Sequence, residues 1–209
     1  PTRRSSDLAG PERGRRHGHR RGRRAVHLVA VGAEGADSVT APLTIPAGQA
    51  LQAAGADFIV LCTNTMHKVA AAIEAAVTIP LLHIADPTAQ AITNAGLKTV
   101  GLLGTRFTME QAFYRERLRQ HGLKVLVPEE AERELVHQVI YQELCLGQVR
   151  DESRLQYQQV MQQLVAEGAQ AIILGCTEIG LLVGPADAAV PLFDTTALHA
   201  RAAAAKALA

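Results

Sequence analysis

At 209 residues and 48% apolar content, with aromatics at 3% and Trp absent, the chain is long enough for one sizeable domain or two small lobes with aliphatic cores. No apolar run approaches the roughly 18 residues of a membrane span, no export signal pattern is present, and three scattered cysteines, Cys62, Cys145 and Cys176, exclude a disulfide framework or a zinc cluster, so a cytoplasmic protein with no membrane partner is expected. The net charge of +1 hides a split: nine of the 21 basic residues lie within 1–24, leaving 12 basic against 18 acidic residues in a mildly acidic remainder.

Residues 1–24 are Arg, Gly, His, Ser and Pro with almost nothing to bury, a composition that reads as disordered. An arginine-rich tail can bind phosphates, but no aromatic residue or binding motif accompanies the charge, so no nucleic-acid partner is expected. With Pro1 in first place, residues 1–46 are expected to be an atypical segment, disordered or non-native. Within it, Ala25-Val-His-Leu-Val-Ala-Val-Gly32 has the composition of a strand, though no clean period follows.

From Ala47 the pattern becomes coherent. Gln49 to Gly55 reads as the end of a helix with a glycine stop, and the apolar run Phe58 to Leu61 reads as a strand leading into Cys62. Met66 to Ala76 has a helical period, Thr78 to Ile84 is a short strand, and Asp86-Pro87-Thr88 opens a helix to Asn94 that Gly96 stops. Lys98 to Gly104 is a strand entering a glycine-rich turn. Thr108 to Gln120 is a charged helix closed by Gly122, and Lys124 to Val127 is a strand stopped by Pro128. Glu129 to Leu146 and Asp151 to Glu167 are two long amphipathic helices, and a last helix covers Thr196 to Leu208. Strand and helix alternating in this way predict an α/β fold with parallel sheets and right-handed crossovers.

The chain contains one unit twice. Gly55-Ala56, an apolar run and Cys62-Thr63 are matched by Gly168-Ala169, an apolar run and Cys176-Thr177; Thr78-Ile-Pro80-Leu-Leu is matched by Ala189-Val-Pro191-Leu-Phe. Two copies imply two pseudo-symmetric lobes, each with a mostly parallel sheet flanked by helices, an active site between them, and a cysteine at the carboxyl end of a strand in each. That end is where open α/β sheets place ligands, whereas a lone cysteine is more often a small buried hydrophobe. Thr63, Asn64, Thr65 and Thr177 follow the cysteines where backbone N–H groups and side chains can hold an anion, or can serve as ordinary helix caps. The first lobe has no counterpart of the strand Val100 to Gly104 unless Ala25 to Val31 supplies one.

No metal site or cofactor is expected. The histidines show no ligand spacing, and His83 either supports the site or is a satisfied core imidazole. Gly101-Leu-Leu-Gly104 lacks a phosphate-binding fingerprint. Lys68, Lys98, Lys124 and Lys206 lack the flanks of a pyridoxal Schiff-base lysine.

Leu61-Cys62-Thr63-Asn64-Thr65 with Gly175-Cys176-Thr177-Glu178 resembles the paired-cysteine signature of the aspartate/glutamate racemase superfamily. Together with Leu82-His83-Ile-Ala-Asp86, Gly101 to Thr105 and Glu143-Leu-Cys-Leu-Gly147, it is similar to the bacterial broad-specificity amino-acid racemases of that group, from about residue 47 onward. The resemblance implies a cofactor-independent racemase in which Cys62 and Cys176 are opposed acid/base groups at the Cα of an amino-acid substrate, in a homodimer. It also implies that the C-terminal helix returns to the first lobe, dividing the chain into 47–97 plus 191–209 and 98–190. Where the acidic-substrate members carry a basic residue, this chain has Cys145, which points to neutral or mixed substrates and makes Cys145 a side-chain contact. Hydantoin racemases and maleate isomerases share paired cysteines and remain alternatives, as does an inactive fragment, since a Met-Ser turn expected near the N-terminus is absent.

Overall fold

The computed structural model describes residues 26–29 and 41–209. The disorder expected of residues 1–24 falls outside them. The elements are β1 (Val26–Val29), α1 (Ala41–Ala53), β2 (Phe58–Leu61), a 3₁₀ turn (Thr65–Val69), α2 (Ala70–Ala76), β3 (Leu81–Leu82), α3 (Ala85–Asn94), β4 (Thr99–Gly104), α4 (Arg106–Glu110), α5 (Ala112–Gln120), β5 (Lys124–Leu126), α6 (Glu130–Gln142), a 3₁₀ turn (Leu144–Leu146), α7 (Asp151–Ala166), β6 (Ala171–Gly175), α8 (Ile179–Leu182), a 3₁₀ turn (Pro185–Asp187), β7 (Leu192–Asp194) and α9 (Thr195–Leu208).

These strands form two parallel sheets, one ordered β1-β2-β3 and the other β5-β4-β6-β7. Strand β1 pairs along the whole of β2, with Val26 opposite Phe58 and Val29 opposite Leu61. The gap expected before residue 47 is therefore filled by residues 26–29, a short apolar run that needs only a neighbouring ladder to become a strand.

The central strands are buried on both faces, as parallel strands covered by crossover helices must be, and their side chains part by the two-residue period. Ile59 and Leu61 pack with Met66, Ala70 and Ile73 on the α2 side, while Phe58 and Val60 pack with Ala203 of α9. In the second sheet, Leu103, Ile172 and Leu174 face α6 and α7 through Val136, Ile140, Tyr157 and Leu164. Val100, Leu102, Ala171 and Ile173 face Ala89 and Ile92 of α3 and Tyr114 and Leu118 of α5. Helix α3 thus covers the second sheet, and α9 packs on both α3 and the first sheet.

Three expected helices are broken, the first being Met66 to Ala76, which is a 3₁₀ turn followed by α2. The charged helix over 108–120 becomes α4 and α5, separated by Gln111 in an extended conformation. The carbonyl of Glu110, at the end of α4, accepts from Arg115 Nη2 at 2.7 Å, which satisfies a group the continuous helix would have used. The helix begun at Glu129 ends at Gln142; a tight 3₁₀ turn carries Cys145, and Gly147 follows at φ +72°, a left-handed conformation natural only to glycine.

Candidate active site

Each cysteine follows the last residue of a buried parallel strand: Cys62 follows β2 and Cys176 follows β6. Strands β4 and β6 end side by side as Gly104 and Gly175, paired in register. A Cβ on Gly175 would lie 2.8 Å from the Leu103 carbonyl oxygen, so only glycine lets the two strand ends approach this closely under Cys176.

The polar residues after Cys62 are fastened to the second sheet. Thr195, fully buried at the start of α9, donates to the Leu174 carbonyl at 2.9 Å and accepts from Asn64 Nδ2 at 3.0 Å. Because the hydroxyl proton is committed to Leu174, the atom facing it must be the amide nitrogen of Asn64, and Asn64 Oδ1 is left buried without a partner among the described residues. On the other side, the Thr65 and Thr105 hydroxyls lie 3.0 Å apart, with Thr108 Oγ1 at 3.2 Å from Thr105. Thr105 is also the N-cap of α4, accepting from the Thr108 N–H.

Both thiols are half-buried and free. Burial pushes the Cys62 thiol up from its ordinary value. Cys176 is held well above the ordinary thiol range, first by burial and then by Glu178, whose Oε2 accepts from Cys176 Sγ at 2.9 Å. The same carboxylate oxygen accepts from the Thr177 hydroxyl.

A cavity of about 190 Å³ opens between these groups. Its walls include both cysteines together with Thr63, Asn64, Thr65, Thr177 and Cys145, the residues singled out in the sequence. They also include Thr105, Tyr141 and Glu178, to which no role was assigned. Glu178 stands in the Cys-Thr-Glu motif and was visible there; Thr105 and Tyr141 arrive from distant elements. The volume is below the roughly 300–1,000 Å³ of sites for drug-sized ligands, so the occupant is small. A second cavity of about 460 Å³ shares Cys62 and Thr177 with the first and is otherwise walled mainly by Val60, Ile84 and the alanines of α9. Among the described residues, no group of three or more His, Cys, Asp or Glu is placed to hold a metal ion.

His83 is buried, and its Nδ1 accepts from the Ala85 N–H at 3.2 Å, so it is a satisfied imidazole at the head of α3. Burial, reinforced by the nearby Arg117 guanidinium, lowers its pKa to about 4. Asp86, on the next turn, is chelated by Arg117 at 2.6 Å from both carboxylate oxygens and by His121 at 3.0 Å.

The Asp/Glu/hydantoin racemase model matches residues 19–203. The chain belongs to the Asp/Glu/hydantoin racemase family. The match starts well before residue 47, where the resemblance was expected to begin, and includes β1. Among solved structures, the chain is similar to a Yersinia pestis protein assigned to the Asp/Glu racemases, at 56% identity and a TM-score of 0.77 over 81% of this chain and 74% of that one. It is also similar to an aspartate racemase homologue from Pyrococcus horikoshii OT3, at 33% identity and a TM-score of 0.73 over the same shares. Glutamate racemase from Francisella tularensis, solved with D-glutamate, shares the fold at a TM-score of 0.63 and 19% identity over 85% of this chain and 68% of that one. The broad specificity amino-acid racemase RacX of Bacillus subtilis is 28% identical over 155 residues, which is 72% of this chain and 65% of RacX, so the chain spans just under two thirds of that relative's length.

Proposed function

We propose that this chain is a cofactor-independent amino-acid racemase in which Cys62 and Cys176 act as opposed acid and base at the substrate Cα. The observation that carries the reading is that both thiols, one from the end of each sheet, line a single small cavity. Racemisation removes a proton from one face of Cα and returns one to the other, so it needs two groups that can exchange the roles of acid and base. A thiol suits both roles, since its ordinary pKa near 8.5 is easily moved. Both thiols are raised in the ligand-free protein. The cationic α-ammonium of an arriving amino acid favours the thiolate, so the substrate helps to prepare its own base. Glu178 is placed to accept the Cys176 proton.

The substrate-binding roles divide by hydrogen-bond chemistry. The unpartnered Asn64 Oδ1 is an acceptor and suits the α-ammonium. The Thr63 hydroxyl, the Asn64 N–H and, once its proton leaves Glu178, the Thr177 hydroxyl suit the α-carboxylate and the charge that develops on it when Cα is deprotonated. Thr65 holds the turn in place through Thr105. Glu178 is the charged residue among the described walls of this cavity. An acidic substrate side chain meets no cation there, and Cys145 supplies none. The adjoining apolar cavity gives room for side chains of different size, which favours broad specificity for uncharged amino acids. In the proposed division, residues 47–97 and helix α9 join β1 in one lobe, and the boundary expected at 191 moves to 194, because β7 pairs with β6 in the lobe of residues 98–190.

The deciding experiment is incorporation of solvent deuterium at Cα across a panel of amino acids, with Cys62→Ala and Cys176→Ala beside the parent. Racemisation is lost in both variants, while the surviving thiol still exchanges the proton of one enantiomer. Ordinary racemisation by either variant refutes the two-thiol assignment. Covalent thioether adducts in place of exchange indicate the isomerase chemistry of the maleate type.

A further inference from the structure

His67 is buried at 2% exposure, five residues beyond Cys62, and both of its ring nitrogens are engaged. The Ile84 N–H donates to Nε2 at 3.0 Å, so Nε2 carries no proton. Nδ1 lies 2.7 Å from the Thr63 carbonyl oxygen, which can only accept, so Nδ1 carries the proton and donates. The imidazole is thereby fixed as the neutral Nδ1–H tautomer, spanning from the residue after Cys62 to the head of α3. Two further imidazoles pack beside it, His83 tilted at 4.3 Å between ring centroids and His199 edge-on at 6.1 Å. His199 is itself anchored through Nε2 to the Leu82 carbonyl at 2.8 Å.

We infer that His67 is a positioning residue for the Cys62 turn, setting the orientation of the Thr63–Asn64 peptide plane and with it the aim of Cys62. In a trans peptide the C=O and the following N–H point in opposite directions. A Thr63 carbonyl drawn into the imidazole therefore sends the Asn64 N–H away from it. That N–H belongs to the turn proposed above to receive the substrate carboxylate, and the inference rests on that assignment of Cys62 and its turn. A turn without this clamp keeps its thiol but loses its direction.

The two nitrogens can be removed separately. Asparagine places an amide near the Nδ1 position and can still donate to the Thr63 carbonyl, whereas glutamine reaches the Nε2 position and can still accept from Ile84. His67→Asn and His67→Gln are compared for thermal stability, for Cα exchange in deuterium oxide, and for the rate at which iodoacetamide alkylates Cys62, followed by mass spectrometry. Both variants lose stability. Only the glutamine variant is expected to lose about tenfold or more in exchange kcat and to change the alkylation rate of Cys62, while the asparagine variant stays within about threefold of the parent in both, on the same scale of misplacement cost. Equal losses in the two variants, or a larger loss with asparagine, overturn the inference. The alkylation rate reads the turn whether or not any amino acid exchanges, so failure of this inference is distinguishable from failure of the racemase reading. If neither variant folds, ¹⁵N chemical shifts of the parent's histidines decide: a His67 protonated at Nε2 overturns the assignment.

Discussion

Replacing Thr195 by valine removes one hydroxyl from a fully buried position while keeping nearly the same shape. Two bonds disappear, the 3.0 Å acceptance from Asn64 Nδ2 and the 2.9 Å donation to the Leu174 carbonyl. Stranding the buried amide donor costs about 1–3 kcal/mol, and loss of the second bond adds about 0.5–1.5 kcal/mol. The sum, centred near 3 kcal/mol, is less than a typical total stability of about 5–15 kcal/mol, so the variant folds. For a chain of this size about 2–4 °C is lost per kcal/mol, which sets the expected fall in Tm at about 6–12 °C. Asn64, two residues from Cys62, would lose its anchor, and the rate of Cα exchange should fall by about tenfold or more at a temperature where the variant is fully folded. Thermal unfolding followed by circular dichroism gives the first number and deuterium exchange the second, with Thr195→Ser as the control that restores the hydroxyl. A valine variant within about 0.5 kcal/mol of the serine variant, and equally active, would show that this chain of bonds does not hold the site.

Three further outcomes are expected. Glu178→Gln takes away the carboxylate that helps to hold the Cys176 proton, so the pH midpoint for alkylation of Cys176 moves down; an unchanged or higher midpoint contradicts the assigned cause. Cys145→Arg puts a cation at the cavity wall and shifts the substrate profile toward aspartate and glutamate, and an unaltered profile removes Cys145 from the side-chain pocket. Stability should fall in mild acid, because His67, His83 and His199 all have folded-state pKa values lowered first by burial, with Arg117 and His121 reinforcing this at His83 and Asp86 opposing it at all three. The unfolded chain takes up these protons near 6.5 and the folded chain takes that of His83 only near 4, so stability is full above 6.5 and declines as pH falls toward 4. Denaturant unfolding at pH 7.5 and 4.5 that gives equal free energies refutes this.

Much of this was legible because it is local. An apolar run ending in cysteine and small polar residues announces a buried strand with a reactive group at its carboxyl end, and its repetition announces two such strands. What no period encodes is which distant hydroxyl meets which amide. Asn64 and Thr195 are 131 residues apart in sequence, and Thr65 and Thr105 are 40 apart. Neither pairing leaves a trace in composition. His67 looked inert because ligand spacing was the question asked of it, whereas its work is done with backbone groups. Strand β1 was ambiguous for a related reason: four residues carry too little pattern to stand without the partner that β2 provides. The break at Gln111 depends on a single arginine reaching back to a carbonyl, a contact that the helical period of 108–120 does not foretell.

The hydrogen bonds that fasten the Cys62 turn to the second sheet are made by hydroxyls and an amide, with Lys68 Nζ 5.8 Å from the Phe107 ring centroid beside them, while the ion pairs Asp86–Arg117, Arg106–Glu134 and Arg133–Glu110 lie elsewhere. Uncharged contacts are not weakened by ionic strength as exposed charge pairs are. The Cys62 turn is therefore held chiefly by buried, uncharged bonds that salt leaves almost untouched. Cα exchange is accordingly expected to run at nearly the same rate in dilute buffer and in concentrated salt, and to fall when Thr105 loses the hydroxyl that holds Thr65.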